Sequence, residues 1–360
     1  VLSIATLLLL IFGTVLVYAA TRNWFAESGL DPEYYLKRHL VNIVIGVALM
    51  FAITNIDYRW LRAYTPVLWG LGVLGLIAVL IPGIGSTING ARAWIKLPGG
   101  FNIQPAELAK ITIIVGMSMI LTERTHGQTE PQNRDVFQAL AVAAIPVLFI
   151  ALQPDMGTIF IVSAIVVTII ATSGASTKWV AILLMVAFVG GFGAVKAGVV
   201  KDYQLKRLQS FVNPNADAQG SGYQLRQARI TVGSGGFSGT GLFNGPQTNG
   251  RFVPEQQTDF IFTVAGEETG FLGSGLIIIC LFTILMRAFG IARRTNDPFG
   301  RLVCVGVIAW FAFQAFENIG MTMGLMPMTG VPLPFVSYGG SSMFANMIGL
   351  GLLQNVHARS

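Results

Sequence analysis

One acid in this sequence stands where a carboxylate could act as a base at a membrane surface. Asp259 closes the polar run Arg251-Phe-Val-Pro-Glu-Gln-Gln-Thr-Asp and is followed at once by Phe-Ile-Phe. A carboxylate at the boundary between water and an apolar span is partly desolvated, which raises its pKa and makes it a better base. The plainer reading is an N-cap for the helix that follows. Glu255, Glu267 and Glu268 compete for a catalytic role on the same grounds.

Earlier segments offer groups that could handle phosphate. Asn102-Ile-Gln-Pro-Ala-Glu-Leu-Ala-Lys-Ile reads as a helix start, with Pro105 near the first position and Glu107 in the first turn. Glu107 and Lys110 are three apart, so they share a helix face and can pair. The helix dipole accounts for Glu107 but opposes Lys110. A positive charge held there, inside an apolar boundary, reads as a site for phosphate or for the Glu. In Asn89-Gly-Ala-Arg-Ala-Trp-Ile-Lys, Arg92 and Lys96 could clamp an anionic headgroup, and Trp94 sits where interfacial aromatics sit. Simple anchoring explains that segment equally well. Gln153-Pro-Asp155-Met-Gly-Thr is a tight turn whose Asp155 suits the N-cap of the next helix and can also face a cavity. The run Gly233 to Gly241 could expose N–H groups to an anion. It lacks the Gly-Lys-Ser/Thr of a P-loop and the G-x-G-x-x-G spacing, which leaves a hinge or lid.

The elements that must position these residues are apolar helices. The chain has 360 residues, 53% hydrophobic and 11% charged, against roughly 25% charged in ordinary soluble domains. Ten stretches approach the roughly 20 residues needed to cross a bilayer. They are about 2–20, 39–56, 64–82, 106–122, 136–152, 157–173, 179–199, 270–291, 302–319 and 343–357. The expected fold is all-α and integral to the membrane, a single polytopic domain over 1–360 with a long extracytoplasmic loop, 200–258, between helices 7 and 8.

Arg59, Arg62, Arg124, Arg134, Lys178, Arg287, Arg293, Arg294, Arg301 and Arg359 cluster at one set of helix ends, which are expected to face the cytoplasm together with both termini. The net charge of +6 is spread over loops, so it reads as topology and anionic lipid contact and not as a nucleic-acid surface. Val1 opens directly in an apolar run, which reads as a first membrane helix and not a signal peptide. Cys280 and Cys304 lie in apolar stretches with neither disulfide nor metal spacing. From Gly320 to Ser342 no residue is charged and prolines recur, so a re-entrant segment walling a cavity is expected after Glu317 and Asn318.

Taken in order, the motifs resemble a known family. Gly-Ala-x-x-Trp, Gln-Pro-x-Glu-x-x-Lys, Gln-Pro-Asp-x-Gly-Thr, the Asn213-Pro loop with Gly222-Tyr-Gln, Gly233-Ser-Gly-Gly, Pro254-Glu-x-x-Thr-Asp-Phe-Ile-Phe and Pro334-Phe-x-Ser-Tyr-Gly-Gly-Ser-Ser run through nearly the whole chain. The pattern resembles the SEDS proteins (shape, elongation, division and sporulation), bacterial polytopic glycosyltransferases that polymerise peptidoglycan from lipid II. Asn318-Ile-Gly-Met-Thr-Met-Gly-Leu-Met-Pro and Thr329-Gly-Val-Pro-Leu-Pro look more like the rod-shape elongation branch than the division branch. Ala93 precedes the Trp where the family often has Arg, and Ala106 replaces a frequent Ser.

The resemblance implies that Asp259 is the essential catalytic acid residue, acting as general base in an inverting transfer. It implies substrate contacts from Lys110, Glu107, Asp155, Arg207, Arg92, Trp94, Thr258, Glu255, Ser337 and Ser341. It further implies a divalent cation, Mg²⁺ or Mn²⁺, for which Asp259, Glu107 and Asp155 are candidate ligands. The implied partners are lipid II, membrane lipids and a class B penicillin-binding protein, a transpeptidase. The location would be the bacterial inner membrane, with the active cavity facing outside. Two other readings stand beside it. A flippase or other transporter would place its charges near the midplane, whereas here they gather toward one face. In a noncatalytic cell-wall scaffold Asp259 would be dispensable.

Overall fold

The structure is a computed structural model and describes residues 1–88, 90–123, 130–196, 198, 200–213, 217 and 220–359. Asn89, Arg124 and the Pro of the Asn213-Pro loop, all named above, lie outside the described residues.

In chain order the elements are α1 (Leu2–Glu27), α2 (Tyr34–Asn55), α3 (Tyr58–Ala63), α4 (Thr65–Leu80), β1 (Gly85–Ile88), β2 (Ala91–Lys96) and β3 (Asn102–Ile103). There follow α5 (Pro105–Thr122), α6 (Asn133–Leu152), α7 (Met156–Thr172), α8 (Lys178–Lys196), α9 (Asp202–Val212), α10 (Ser221–Ser234) and α11 (Pro246–Asn249). The chain closes with α12 (Ile261–Arg294), α13 (Pro298–Met323) and α14 (Gly340–Arg359). Each of the ten expected spans overlaps a helix. Six of these, α1, α2, α5, α6, α12 and α13, are long and apolar enough to cross a membrane, and Thr65–Leu80, Met156–Thr172 and Lys178–Gly193 are shorter apolar helices.

Three features depart from the sequence reading. The all-α class holds, but a small antiparallel sheet in the order β1-β2-β3 that the sequence reading lacked is added to it. The expected loop 200–258 contains α9, α10 and α11, short helices whose polar composition hides them from hydropathy. The eighth span starts at Ile261 and not near 270, and its backbone breaks from helical geometry at Gly270 (φ 64°, ψ −157°).

By contact density the chain falls into two units. One comprises Val44–Ala187, Met286–Phe313 and Gly340–Ser360. Here α5 touches α4, α6, α7, α14 and the sheet. Ala106 and Ala109 are fully buried with Leu76 and Ile150, because small side chains let helix backbones approach closely where lipid supplies no hydrophobic drive.

The other unit comprises Val1–Ile43, Phe188–Leu285 and Gln314–Gly339. Its polar segment carries its own core of Leu225, Ala228, Val253, Phe260 and Met328. The glycine run does not form a free hinge or lid. Thr240 and Gly241 donate their N–H groups to the carbonyls of Glu267 and Glu268 (2.9 and 3.1 Å), and Phe271 and Leu272 donate to Gly236 and Phe237 (3.0 and 3.2 Å). A Cβ on Gly239 would stand 2.2 Å from the Glu268 carbonyl oxygen, and one on Gly270 2.3 Å from the Gly239 nitrogen. The run is glycine-rich so that backbone can dock on backbone at the break in α12.

Candidate active site

Asp259 is delivered by a tight turn. The N–H groups of Thr258, Asp259 and Phe260 all point at the carbonyl of Glu255 (3.2, 3.1 and 3.3 Å), and Glu255 itself is left-handed (φ 53°). Val253, Gln256 and Phe260 are buried anchors. Between them Thr258 and Asp259 remain half-buried and Glu255 exposed, its carboxylate bonded by the Gln257 amide (3.3 Å) and the Thr258 hydroxyl (3.4 Å). Asp259 also sits two residues before the first residue of α12.

A second segment is tied to this turn. Asn318 on α13 is wholly buried, and its amide donates to the main-chain carbonyls of Asp259 (2.8 Å) and Val331 (2.7 Å). Gln314, one turn earlier, donates to the Pro332 carbonyl (2.8 Å). Tyr338 N–H closes the arrangement on the Gln257 carbonyl (2.8 Å). The charge-free stretch after α13 is non-helical over 324–339, and its part from Leu333 to Ser337 is buried in protein, as a re-entrant segment requires of its backbone. Ser337 serves this local fold: its hydroxyl accepts the Leu333 N–H (2.8 Å).

At Gly330 (φ 76°) the segment presents bare backbone to the acid. A Cβ there would lie 3.1 Å from Asp259 Oδ2 and 3.9 Å from Arg207 Nη1. The carboxylate and the guanidinium therefore flank the same point. Arg207, on α9, is partly exposed, and its guanidinium carbon lies 5.8 Å from the Tyr203 ring centre. A base, a cation and a main-chain wall are thus assembled in one unit.

The competing acids have other work. Glu267 is fully buried and accepts from the N–H groups of Gln247 (2.8 Å) and Thr248 (2.7 Å) and from the Thr248 hydroxyl (2.7 Å). Glu268 accepts from the Phe243 N–H (2.9 Å). Both fasten 243–248 to α12.

The remaining named residues, Glu107, Lys110, Asp155, Arg92, Trp94 and Ser341, belong to the unit built around α5. Lys110 has no accessible surface. Its Nζ donates to Glu107 Oε2 at 2.9 Å and lies 4.6 Å from the centre of the Trp310 ring. Asp155 caps α7 by accepting the Thr158 N–H (3.0 Å) and hydroxyl (2.8 Å), and it also accepts the Gln104 amide (2.8 Å). Ser341 accepts the Gln104 N–H (2.8 Å) and donates to the Asn102 carbonyl (3.0 Å). Gln104 is therefore the link between Asp155 and Ser341 at the start of α5. On β2, Arg92 is exposed and Trp94 half-buried.

Sequence reasoning missed Asn318, Gly330 and Gln104 as organisers. For Asn318 a signal existed: an amide inside an apolar helix must find hydrogen-bond partners. No group of three His, Cys, Asp or Glu side chains that could hold a metal ion occurs among the described residues.

Comparison with known proteins adds a framework. The family model of FtsW, RodA and SpoVE cell cycle proteins matches residues 1–360. Stage V sporulation protein E of Bacillus subtilis is 38% identical over 353 residues, 98% of this chain and 95% of that protein. A probable peptidoglycan glycosyltransferase FtsW of Trichlorobacter lovleyi is 38% identical over 362 residues, 96% of this chain and 90% of its own. Among solved structures, a chain from a peptidoglycan synthase complex that coordinates polymerization and crosslinking superposes with a TM-score of 0.77 at 28% identity, covering 97% of both chains. The rod shape determining protein RodA of Thermus thermophilus gives a TM-score of 0.71 at 27% identity, covering 99% of this chain and 95% of that one.

Proposed function

The chain belongs to the family of FtsW, RodA and SpoVE cell cycle proteins, and from that premise we propose that it is a multi-pass peptidoglycan glycosyltransferase of the bacterial inner membrane that polymerises lipid II. In this reading its ten long helices cross the bilayer as one membrane domain, with both termini cytoplasmic and the cavity of Asp259 facing outside. The charge distribution at the helix ends supports that orientation.

The observation that carries the proposal is the half-buried Asp259, whose main chain is held by the Glu255 turn and Asn318 and whose carboxylate flanks Gly330 together with the Arg207 guanidinium. The carboxylate takes the proton of the acceptor sugar's 4-hydroxyl as that oxygen attacks the anomeric carbon of the lipid-linked donor. The bond from that carbon to the pyrophosphate breaks, and configuration inverts. Charge grows on the departing pyrophosphate, and a preorganised cation stabilises it where it develops. Arg207, partly exposed beside Asp259, is the cation the geometry favours, while Lys110 is enclosed with Glu107 and Trp310 and braces α5. Thr258 and Glu255 flank the acceptor, and Arg92 and Trp94 are placed to grip a headgroup.

A resident metal held by three or more acidic, His or Cys side chains does not fit the described residues. A hard cation carried by substrate phosphates needs only one or two protein carboxylates, and Asp259 is the one that would serve. Such a cation would offset phosphate charge.

The implied partner is a transpeptidase of the penicillin-binding class, a reading supported by the likeness to the synthase-complex chain. Two readings of cellular role rest on different observations. The Asn318 to Pro327 and Thr329 to Pro334 motifs favour cell elongation, whereas the 38% identities to SpoVE and FtsW proteins favour sporulation or division.

The test is polymerisation of lipid II by the purified chain, with and without chelator and with and without partner. Asp259→Asn, which keeps shape and removes charge, is expected to lower the rate by roughly 10²- to 10⁴-fold. A folded Asp259→Asn or Asp259→Ala protein polymerising at the wild-type rate would remove Asp259 from the mechanism.

A further inference from the structure

A cavity with charged residues in its lining lies within the unit built around α5. It has a volume of about 310 Å³ and is lined by Tyr58, Arg59, Arg62 and Asp297. Tyr58 follows the candidate span Tyr34–Asn55 by three positions, and Asp297 falls between the candidate spans Ile261–Arg294 and Pro298–Met323. Three apolar helices therefore end or begin at this cavity, which puts it at the depth of lipid headgroups.

Its charge balance is positive. Neither Arg59 nor Arg62 has an ion-pair partner among the described residues. Both nearby acids are engaged: Asp57 caps α3 through the Arg59 N–H (2.9 Å) and faces Arg359 at 4.0 Å, and Asp297 accepts the Gly300 N–H (3.1 Å). Asp297 is also hydrogen-bonded by the Tyr58 side chain. Arg62 is steadied over the Phe299 ring, 5.8 Å from its centre, and Tyr58 stacks on that same ring at 6.2 Å.

Beside the cavity is an apolar shelf. Trp60 and Tyr64 are 60% and 54% exposed and stack on each other with centres 6.0 Å apart, as amphipathic rings do at a membrane surface. Ile56 and Val67 are also exposed.

We propose that Arg59, Arg62, Tyr58 and Asp297 form a binding site for the headgroup of an anionic glycerophospholipid bearing free hydroxyls, with its acyl chains along Trp60, Tyr64, Ile56 and Val67. The guanidinium forks match phosphate oxygens. Asp297 repels a second negative charge but accepts from a hydroxyl, so the site selects a singly charged phosphoglycerol headgroup over a phosphomonoester. This site is independent of the reaction at Asp259.

The test uses the purified full chain, delipidated in detergent and titrated with phosphatidylglycerol or phosphatidylcholine, with bound lipid counted by native mass spectrometry. Wild-type protein is expected to retain phosphatidylglycerol over phosphatidylcholine by roughly tenfold or more, and the Arg59→Gln/Arg62→Gln variant, without either guanidinium fork, to lose that preference. Equal retention of the two lipids by wild type, or an unchanged preference in the variant, would overturn the proposal. So would displacement of phosphatidylglycerol by an equal concentration of glycerol 3-phosphate, which would mark a site for soluble phosphate. If the double variant fails to fold, Arg62→Lys carries the test: it keeps charge but loses the fork and is expected to cut retention severalfold, and unchanged retention counts against the site.

Discussion

Asp259 owes its position to groups that carry no charge. The Glu255 carbonyl collects three N–H groups, the Asn318 amide holds the Asp259 main chain, and Gly330 leaves the carboxylate room. Gly330→Ala would place a methyl 3.1 Å from Oδ2 at φ 76°, a left-handed conformation that costs a non-glycine residue roughly 1–2 kcal/mol. We expect lipid II polymerisation to fall by about tenfold or more, with only a few degrees lost in the thermal unfolding midpoint; normal turnover would free Gly330 from the site. In the sequence Asp259 competed with Glu255, Glu267 and Glu268 on physical grounds, and the family resemblance singled it out. Asn318 carried a signal as an amide inside an apolar helix, but its main-chain partners did not, and Gly330 is one of 42 glycines. Lys110 was legible as an anomaly, but its enclosure by Glu107 and Trp310 follows from packing that spacing does not encode.

At the scale of elements, hydropathy located α1, α2, α4 to α8 and α12 to α14 because lipid-facing and buried positions are both apolar. It failed for α9, α10 and α11, which pack through sparse contacts such as Leu225 and Ala228. It also started α12 too late: Ile261 to Ala265 are buried in protein, whereas the polar pair Glu267 and Glu268 interrupted the apolar signal. The β1–β2 pairing did have a sequence signal: β-prone runs flank the dipeptide Asn89-Gly90, a type favoured in two-residue hairpin loops. The docking of the glycine run on α12 makes a separate prediction. Gly239→Ala, with φ 81° and a Cβ 2.2 Å from a carbonyl oxygen, forces backbone to move and is expected to destabilise by about 2–4 kcal/mol. Thermal unfolding in detergent would read this as a clear drop in midpoint, and an unchanged midpoint would show that the docking is loose.

For the whole molecule, composition pointed to a polytopic membrane protein and ordered motifs to its family, while the branch is read one way from the Asn318 to Pro334 motifs and another from the 38% identities. Expression in cells depleted of their elongation polymerase is expected to restore rod shape, scored by microscopy, while rescue confined to division-depleted filaments would assign the chain to septal synthesis. Gly330 has a further consequence at this scale. Because the wall facing Asp259 is main chain in a conformation that other residues adopt only under strain, its surface cannot be remodelled by exchanging side chains. An inhibitor seated against that wall would leave a bacterium few substitutions by which to become resistant.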